Sequence, residues 1–359
     1  METHTLLVGT RKGLLVLERS ASGWSLREEA HAGNPVSYAM RDRRSGNLFA
    51  GLDLGHWGPK LQRSKDDGRT WEELKAPAYP PTATIKGKPA ALEYLWCIAE
   101  GGESRRSRLY VGTNPGGLFR SEDGGDSFAL VEPLWNHPSR EDHWFGGGRN
   151  TPGIHSVVVD PRNEARVLVG ISCAGVFESS DDGASWAPRN AGLRADFLPD
   201  PAADVGHDPH LLGLCASSPD VLWQQNHCGI FRSVDGGRRW TDVSEPEGPA
   251  RFGFALAAHA HRPEVAWVVP AISDQKRMAV DRRLQVCRTE NGGRSWTSLT
   301  RGLPQTLCYD VVYRHALDLQ GEALVFGSTT GNLFFSFDGG EHWETVGTSL
   351  PPIYSVRFG

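Results

Sequence analysis

Short apolar runs alternate with glycine-bearing turns along the whole chain. Residues 109–120 read LYVGTNPGGLFR, 167–178 read VLVGISCAGVFE, 324–335 read LVFGSTTGNLFF, and 6–17 read LLVGTRKGLLVL. Two apolar runs of strand length joined by a glycine turn predict a β-hairpin in each case. A further apolar run precedes the later hairpins: Val36–Met40, Leu95–Ala99, Ile154–Val158, Leu211–Cys215, Phe252–Leu256 and Cys308–Val312. The first hairpin has no such run upstream of it. A run of the same character, Ile353–Phe358, lies instead at the far end of the chain.

Each later hairpin is followed by an octet. The six begin at Ser64, Ser121, Ser179, Ser233, Thr289 and Ser336 and run to Trp71, Phe128, Trp186, Trp240, Trp296 and Trp343. Their starts are separated by 57, 58, 54, 56 and 47 residues, a regularity that chance does not produce. The third residue is Asp or Asn, whose side chain accepts backbone N–H groups of its own turn. The fifth is Gly, which adopts the positive φ such a turn needs. The aromatic at the end buries a large apolar surface, contributing about 2–3 kcal/mol. The octet is therefore read as a structural turn rather than a catalytic or calcium-binding motif. Ser20–Trp24 is a degenerate copy that keeps its Gly and Trp, which brings the units to seven.

Seven units of about fifty residues fill the chain, and a strand missing at one end is supplied at the other. This predicts an all-β, seven-bladed β-propeller with four antiparallel strands per blade, one domain over residues 1–359. The C-terminal strand is expected to join the N-terminal blade and remove the free sheet edges of an open array. The Pro-rich stretch 75–89 reads as a loop within the ring.

Composition adds limits. With 39% hydrophobic and 23% charged residues, 42 Gly, 23 Pro and a net charge of -5, the chain reads as globular and turn-rich, without the basic excess of a nucleic-acid binder. No run of 18 apolar residues predicts a membrane span. The N-terminus shows no signal-peptide pattern, and the six scattered cysteines form no CxxC pair, which points to reduced thiols and a cytoplasmic protein.

The octet Ser-x-Asp-x-Gly-x-Thr-Trp resembles the Asp box, or bacterial neuraminidase repeat, and the chain is similar in this respect to the sialidase-like propeller superfamily. That group includes sialidases, tandem-propeller xyloglucanases, sortilin-type receptor domains and the photosystem II stability factor. The resemblance implies a fold, and it allows both enzymes and scaffolds. Sialidases carry an early Arg-Ile-Pro stretch, which is absent here. Arg11 lies in Thr-Arg-Lys-Gly, and no motif marks Arg149, Arg251 and Arg282 as an arginine triad. The resemblance thus does not extend to authentic sialidase chemistry.

In the resembled enzymes the site lies on the face opposite the octets, where the loops into the innermost strands meet the turns between strands two and three. Of the thirteen histidines, His56, His143, His155, His207, His210 and His227 are expected on that face, and His259, His261, His315 and His342 on the octet face. Three interpretations of the cluster are open. His155, His207, His210 and His227, with Asp208, bind a divalent metal such as zinc or iron. Alternatively, a neutral histidine acts as general base, oriented by Asp208 or Asp310. In the third, these side chains satisfy loop backbone groups in a polar channel. Aligning the inner strands places Trp96, Tyr309 and Tyr354 level with His155. Asp208, Tyr309, Asp310 and Arg149 are the catalytic candidates, and His56, Trp96, Arg251 and Tyr354 the ligand-binding ones. Arginines and lysines, including Lys276, Arg277, Arg282 and Arg283, suit carboxylate or phosphate ligands. The expected function is a hydrolase- or lyase-like enzyme acting on a small polar or carbohydrate-type ligand. The alternative is a scaffold that binds a protein partner.

Overall fold

The computed structural model describes residues 4–359; the first part of the signal-peptide reading, residues 1–3, lies outside the described residues. Seven four-stranded antiparallel sheets follow one another along the chain, with a small two-stranded hairpin at 84–89 inside the Pro-rich loop. The innermost strands of blades 2 to 6 are Val36–Arg41, Tyr94–Glu100, Ile154–Asp160, Pro209–Leu214 and Gly253–Ala258. Blade 1 is built from both chain ends. Its inner strand, Ile353–Phe358, pairs antiparallel with Thr5–Thr10, with Leu6 opposite Phe358 and Val8 opposite Val356.

Blade 7 departs from the sequence expectation. Its inner strand is Leu317–Gln320, and Cys308–Val312 forms no ladder. The cause is Asp310. Its carboxylate accepts hydrogen bonds from the Cys308 thiol, the Thr330 hydroxyl (2.6 Å) and the Asn332 amide (2.8 Å). These bonds draw the segment onto the turn between strands two and three, and side-chain acceptors replace the backbone pairing of a strand.

The octets all lie between the third and fourth strands of their blades. In each, the first hydroxyl accepts the N–H of the octet's fifth residue, a glycine, as Ser64 does from Gly68 at 2.8 Å. In each, the Asp or Asn Oδ1 accepts the N–H of the seventh residue, as Asp66 does from Thr70 at 2.9 Å. Trp71 and Trp186 donate to the glycine carbonyl of their own octets, and two other terminal tryptophans reach beyond the turn. Trp240 donates to the carbonyl of Arg189 in the preceding blade, and Trp296 to that of Val243.

The core lies between blades. One apolar cluster joins Trp267 of blade 6, Phe326 of blade 7 and Leu6 and Ile353 of blade 1. The recurrent glycine of the second strand permits this packing. A Cβ at Gly112 would sit 2.4 Å from the Ile154 carbonyl oxygen, and one at Gly327 would sit 2.5 Å from the Ile353 side chain, in each case on the next blade's inner strand. Glycine at these places lets neighbouring sheets approach at backbone distance.

Candidate functional site

The loops into the inner strands and the turns between strands two and three surround a cavity of about 880 Å³, and all seven blades contribute to its wall. This is the face opposite the octets. Loops gather there because each blade's inner strand starts at the axis, so whatever precedes it is delivered to the same place.

One group of side chains converges in this wall. Asp208 and His210 flank Pro209 at the start of the blade 5 inner strand, and His227 sits on the same blade's next inner turn. Asp208 Oδ2 lies 3.5 Å from His210 Nε2 and 3.7 Å from His227 Nδ1. Its other oxygen accepts the Ser172 hydroxyl (2.9 Å) and the Cys173 N–H (3.2 Å). Burial alone would raise the Asp208 carboxyl. The neighbouring His210 and Arg314 and the Ser172 bond outweigh it and hold the group below the usual carboxylate range. Asp208 is thus an anion fixed in position.

His210 is buried, and its Nδ1 stands 2.6 Å from the Gly253 carbonyl oxygen. A carbonyl only accepts, so Nδ1 carries the proton. Burial lowers the His210 pKa, with Asp208 opposing, and Nε2 is the ring nitrogen that faces Asp208. Cys173 lies beside the cluster in a left-handed backbone conformation (φ 55). Burial, reinforced by Asp208, pushes its thiol up to about 12, so it stays protonated and is no ready nucleophile.

The cavity is rich in arginine. Arg11, Arg149, Arg277 and Arg314 line it, and among the described residues none of the four has a carboxylate oxygen within 4.0 Å. Arg314 is the most enclosed. Burial lowers its pKa, its Nε has no hydrogen-bond partner, and its guanidinium sits between Trp96 (5.3 Å) and Phe254 (5.5 Å). Arg149 stacks on Tyr94 at 3.8 Å. Arginine held by aromatic faces keeps its five donors for another partner.

The other residues singled out from sequence divide cleanly. Trp96, Arg149 and Tyr354 line the cavity. His155 is fully buried, bonds Ser156 at 2.9 Å through Nδ1 and packs edge-on to Trp96 at 5.7 Å. His207 turns away, with Nε2 2.6 Å from the Ala203 carbonyl oxygen. Arg251 is exposed and donates to the Pro246 carbonyl (2.7 Å), and His56 lies against the exposed Trp57. Tyr309 is half exposed under Arg282, and Asp310 is taken up by Cys308 beside it and by Thr330 and Asn332 of the turn between strands two and three. The shifted inner strand of blade 7 explains the last two: Tyr313 and Arg314, four residues further on, take the cavity positions expected for Tyr309 and Asp310. For the same reason His315, expected on the octet face, lines the cavity. Arg314, Tyr94 and Phe254 are cavity residues that no sequence motif marks.

No protein-family model matches the chain. Over 252 residues it is 23% identical to an oligoxyloglucan-reducing end-specific xyloglucanase of Emericella nidulans, covering 69% of this chain and 26% of that protein. Over 173 residues it is 32% identical to a xyloglucanase of a Paenibacillus species, covering 40% of this chain and 15% of that one. The chain therefore spans about a quarter or less of the length of these curated relatives. Among solved structures, an ancestral GH74 enzyme superposes with a TM-score of 0.60 at 15% identity, covering 97% of this chain and 40% of the other. YCF48 from Cyanidioschyzon merolae superposes with a TM-score of 0.55 at 15% identity, covering 93% and 91%. A structure of YCF48 bound to D1 peptide gives 0.52 at 12% identity, covering 86% and 80%. The chain is a seven-bladed β-propeller similar to GH74 xyloglucanases and to YCF48. The shared feature is the ring itself. Among the described residues, no helix is long and apolar enough to cross a membrane.

Proposed function

We propose that this propeller is a carbohydrate-directed enzyme of hydrolase or lyase type, working in the axial cavity on a small polar ligand that bears an anionic group. The observation that carries this is Arg314, a half-buried guanidinium in the cavity wall whose enclosed Nε has no hydrogen-bond partner and which has no carboxylate oxygen within 4.0 Å among the described residues. Holding such a charge away from water is costly, and a bound carboxylate, phosphate or sulfate offsets that cost. Arg149 and Arg277 widen the cationic surface, and Trp96 and Tyr354 line the same space with aromatic rings for a sugar. The Asp208, His210 and His227 cluster, in the same wall, is the group that acts on the bound ligand. The resemblance to xyloglucanases supports a carbohydrate; the arginines narrow it to an acidic one.

Calorimetric titration with hexuronates, sugar phosphates and neutral hexoses tests the reading. The anionic ligands are expected to bind the wild type, the neutral ones not, and Arg314→Met to abolish binding. Equal binding of neutral and anionic sugars, or binding indifferent to Arg314→Met, would overturn it. Turnover is then assayed on oligosaccharides that contain the acidic sugar found to bind.

A peptide-binding scaffold is the second reading, favoured by exposed apolar side chains around the same face. Trp57 is 73% exposed in an inner turn of blade 2, and Leu307 is 74% exposed in the loop entering blade 7. Saturable capture of a partner that is lost in Trp57→Ser, without any anion binding in the cavity, would favour it over the enzyme.

A further inference from the structure

We infer that Asp208, His210 and His227 form a divalent transition-metal site of the two-histidine, one-carboxylate type, open toward the axial cavity. One ligand atom from each residue lies within 4.8 Å of the others. The contacts of 3.5 and 3.7 Å from Asp208 Oδ2 are too long for good hydrogen bonds. They fit two ligands that share an ion, since metal–ligand distances of about 2.0–2.1 Å separate tetrahedral ligands by roughly 3.4 Å.

The hydrogen bonds behind the ligands point the same way. The Gly253 carbonyl accepts the Nδ1 proton of His210, which leaves Nε2 as the ring nitrogen turned toward Asp208 Oδ2. A backbone carbonyl behind one nitrogen of a ligating histidine is also the usual outer support of a metal site, because it orients the ring. Asp208 has such support too, from the Ser172 hydroxyl and the Cys173 N–H on its other oxygen. All three ligands come from one blade, on a strand start and the adjoining turn. The His227 N–H donates to the Asp208 carbonyl at 2.9 Å, which ties that turn directly to the strand start. Within the turn, Asn226 Oδ1 accepts the Cys228 N–H at 3.0 Å.

The site deepens the reading of the cavity given above, and its meaning for catalysis rests on that reading. Three protein ligands leave a coordination position for water or a substrate oxygen, which the ion polarises. Asp208 cancels one of the ion's two charges. The remainder faces the same space as Arg314, so metal and arginine together select an anionic ligand.

The test uses the full chain, stripped with chelator and titrated with zinc and with cobalt, whose visible absorption reports its coordination. One equivalent is expected to bind the wild type, with an absorption band of low coordination number. His227→Ala, a partly exposed position, and Asp208→Asn are each expected to lose more than about a hundredfold in affinity, beyond the loss seen for outer partners. His342→Ala, on the octet face, is expected to bind as the wild type does. Failure of the wild type to bind one equivalent, or unchanged affinity in a folded His227→Ala, overturns the site. The hexuronate titration separates the two proposals: anion binding that needs Arg314, in a protein that takes up no equivalent of metal, keeps the cavity reading and removes the metal.

Discussion

The Trp24 indole N–H donates to Glu344 Oε1 across 2.7 Å, joining two residues 320 positions apart. Trp24 belongs to the degenerate octet of blade 1, and Glu344 to the outer strand of blade 7, so the bond spans the seam where the ring closes. Trp24 also packs on Phe335 at 5.0 Å. Trp24→Phe keeps most of that packing and removes the donor. It is expected to lower stability by about 0.5–1.5 kcal/mol in denaturant titration. A variant as stable as the wild type would show that this hydrogen bond adds nothing to the seam beyond the packing of Trp24.

Arg314→Met should trade function for stability. The substitution keeps an apolar stem between Trp96 and Phe254 and removes a half-buried charge whose enclosed Nε has no hydrogen-bond partner. A rise in melting temperature equivalent to about 1 kcal/mol or more is expected, together with loss of anion binding. A fall in melting temperature would mean that the guanidinium stabilises the folded ring.

Acid should destabilise the protein in two stages. Burial, with Arg357 adding to it, drives the His315 pKa well below its ordinary 6.5. The unfolded chain therefore takes up this proton first; the contribution is full above about pH 6.5 and declines as pH falls below it. Asp160 is a carboxylate case. Burial raises it, but the hydrogen bonds from Arg162 and Arg166 outweigh burial and bring it from 3.8 to about 2. Its contribution is full above about pH 4 and is lost as pH falls toward 2. His315→Gln should flatten the first decline in melting temperature against pH, and Asp160→Asn the second. A His315→Gln profile parallel to that of the wild type would exclude this histidine as the source.

Two kinds of glycine should respond differently to alanine. Gly192 has φ +87, and a Cβ there would lie 2.2 Å from the Trp240 carbonyl oxygen; Gly124 has φ +74 with open space around it. Gly124→Ala meets only the backbone penalty, about 1–2 kcal/mol. Gly192→Ala meets that penalty and a backbone clash, and is expected to cost clearly more in denaturant titration. Equal losses would show that blades 4 and 5 separate easily at this contact.

The ring is legible in the sequence because its turns are written in side chains. Ser64, Asp66, Gly68 and Thr70 bond one another, so their identities and spacing recur wherever the turn recurs. The inner strand of blade 7 is hard to place because two neighbouring segments carry a tyrosine followed by a charged residue, Tyr309-Asp310 and Tyr313-Arg314. Only the long-range bonds from Asp310 to Thr330 and Asn332 decide between them. The Asp208, His210 and His227 grouping is visible, since a strand start and the next inner turn of one blade meet by construction. The direction of His207 is not, because it depends on the Ala203 carbonyl in an irregular loop. Arg314 is missed because aligning Tyr309 with His155 puts Asp310 rather than Arg314 at the cavity.

Closure by the last strand sets the order of events during synthesis. Thr5–Thr10 leaves the ribosome among the first strands of the ring, yet its partner Ile353–Phe358 is the last of them to emerge. Until then its inner edge is an unpaired template for any passing strand. Translation thus produces six blades beside an unfinished first one, and the ring stays open to mispairing for almost as long as it takes to be made.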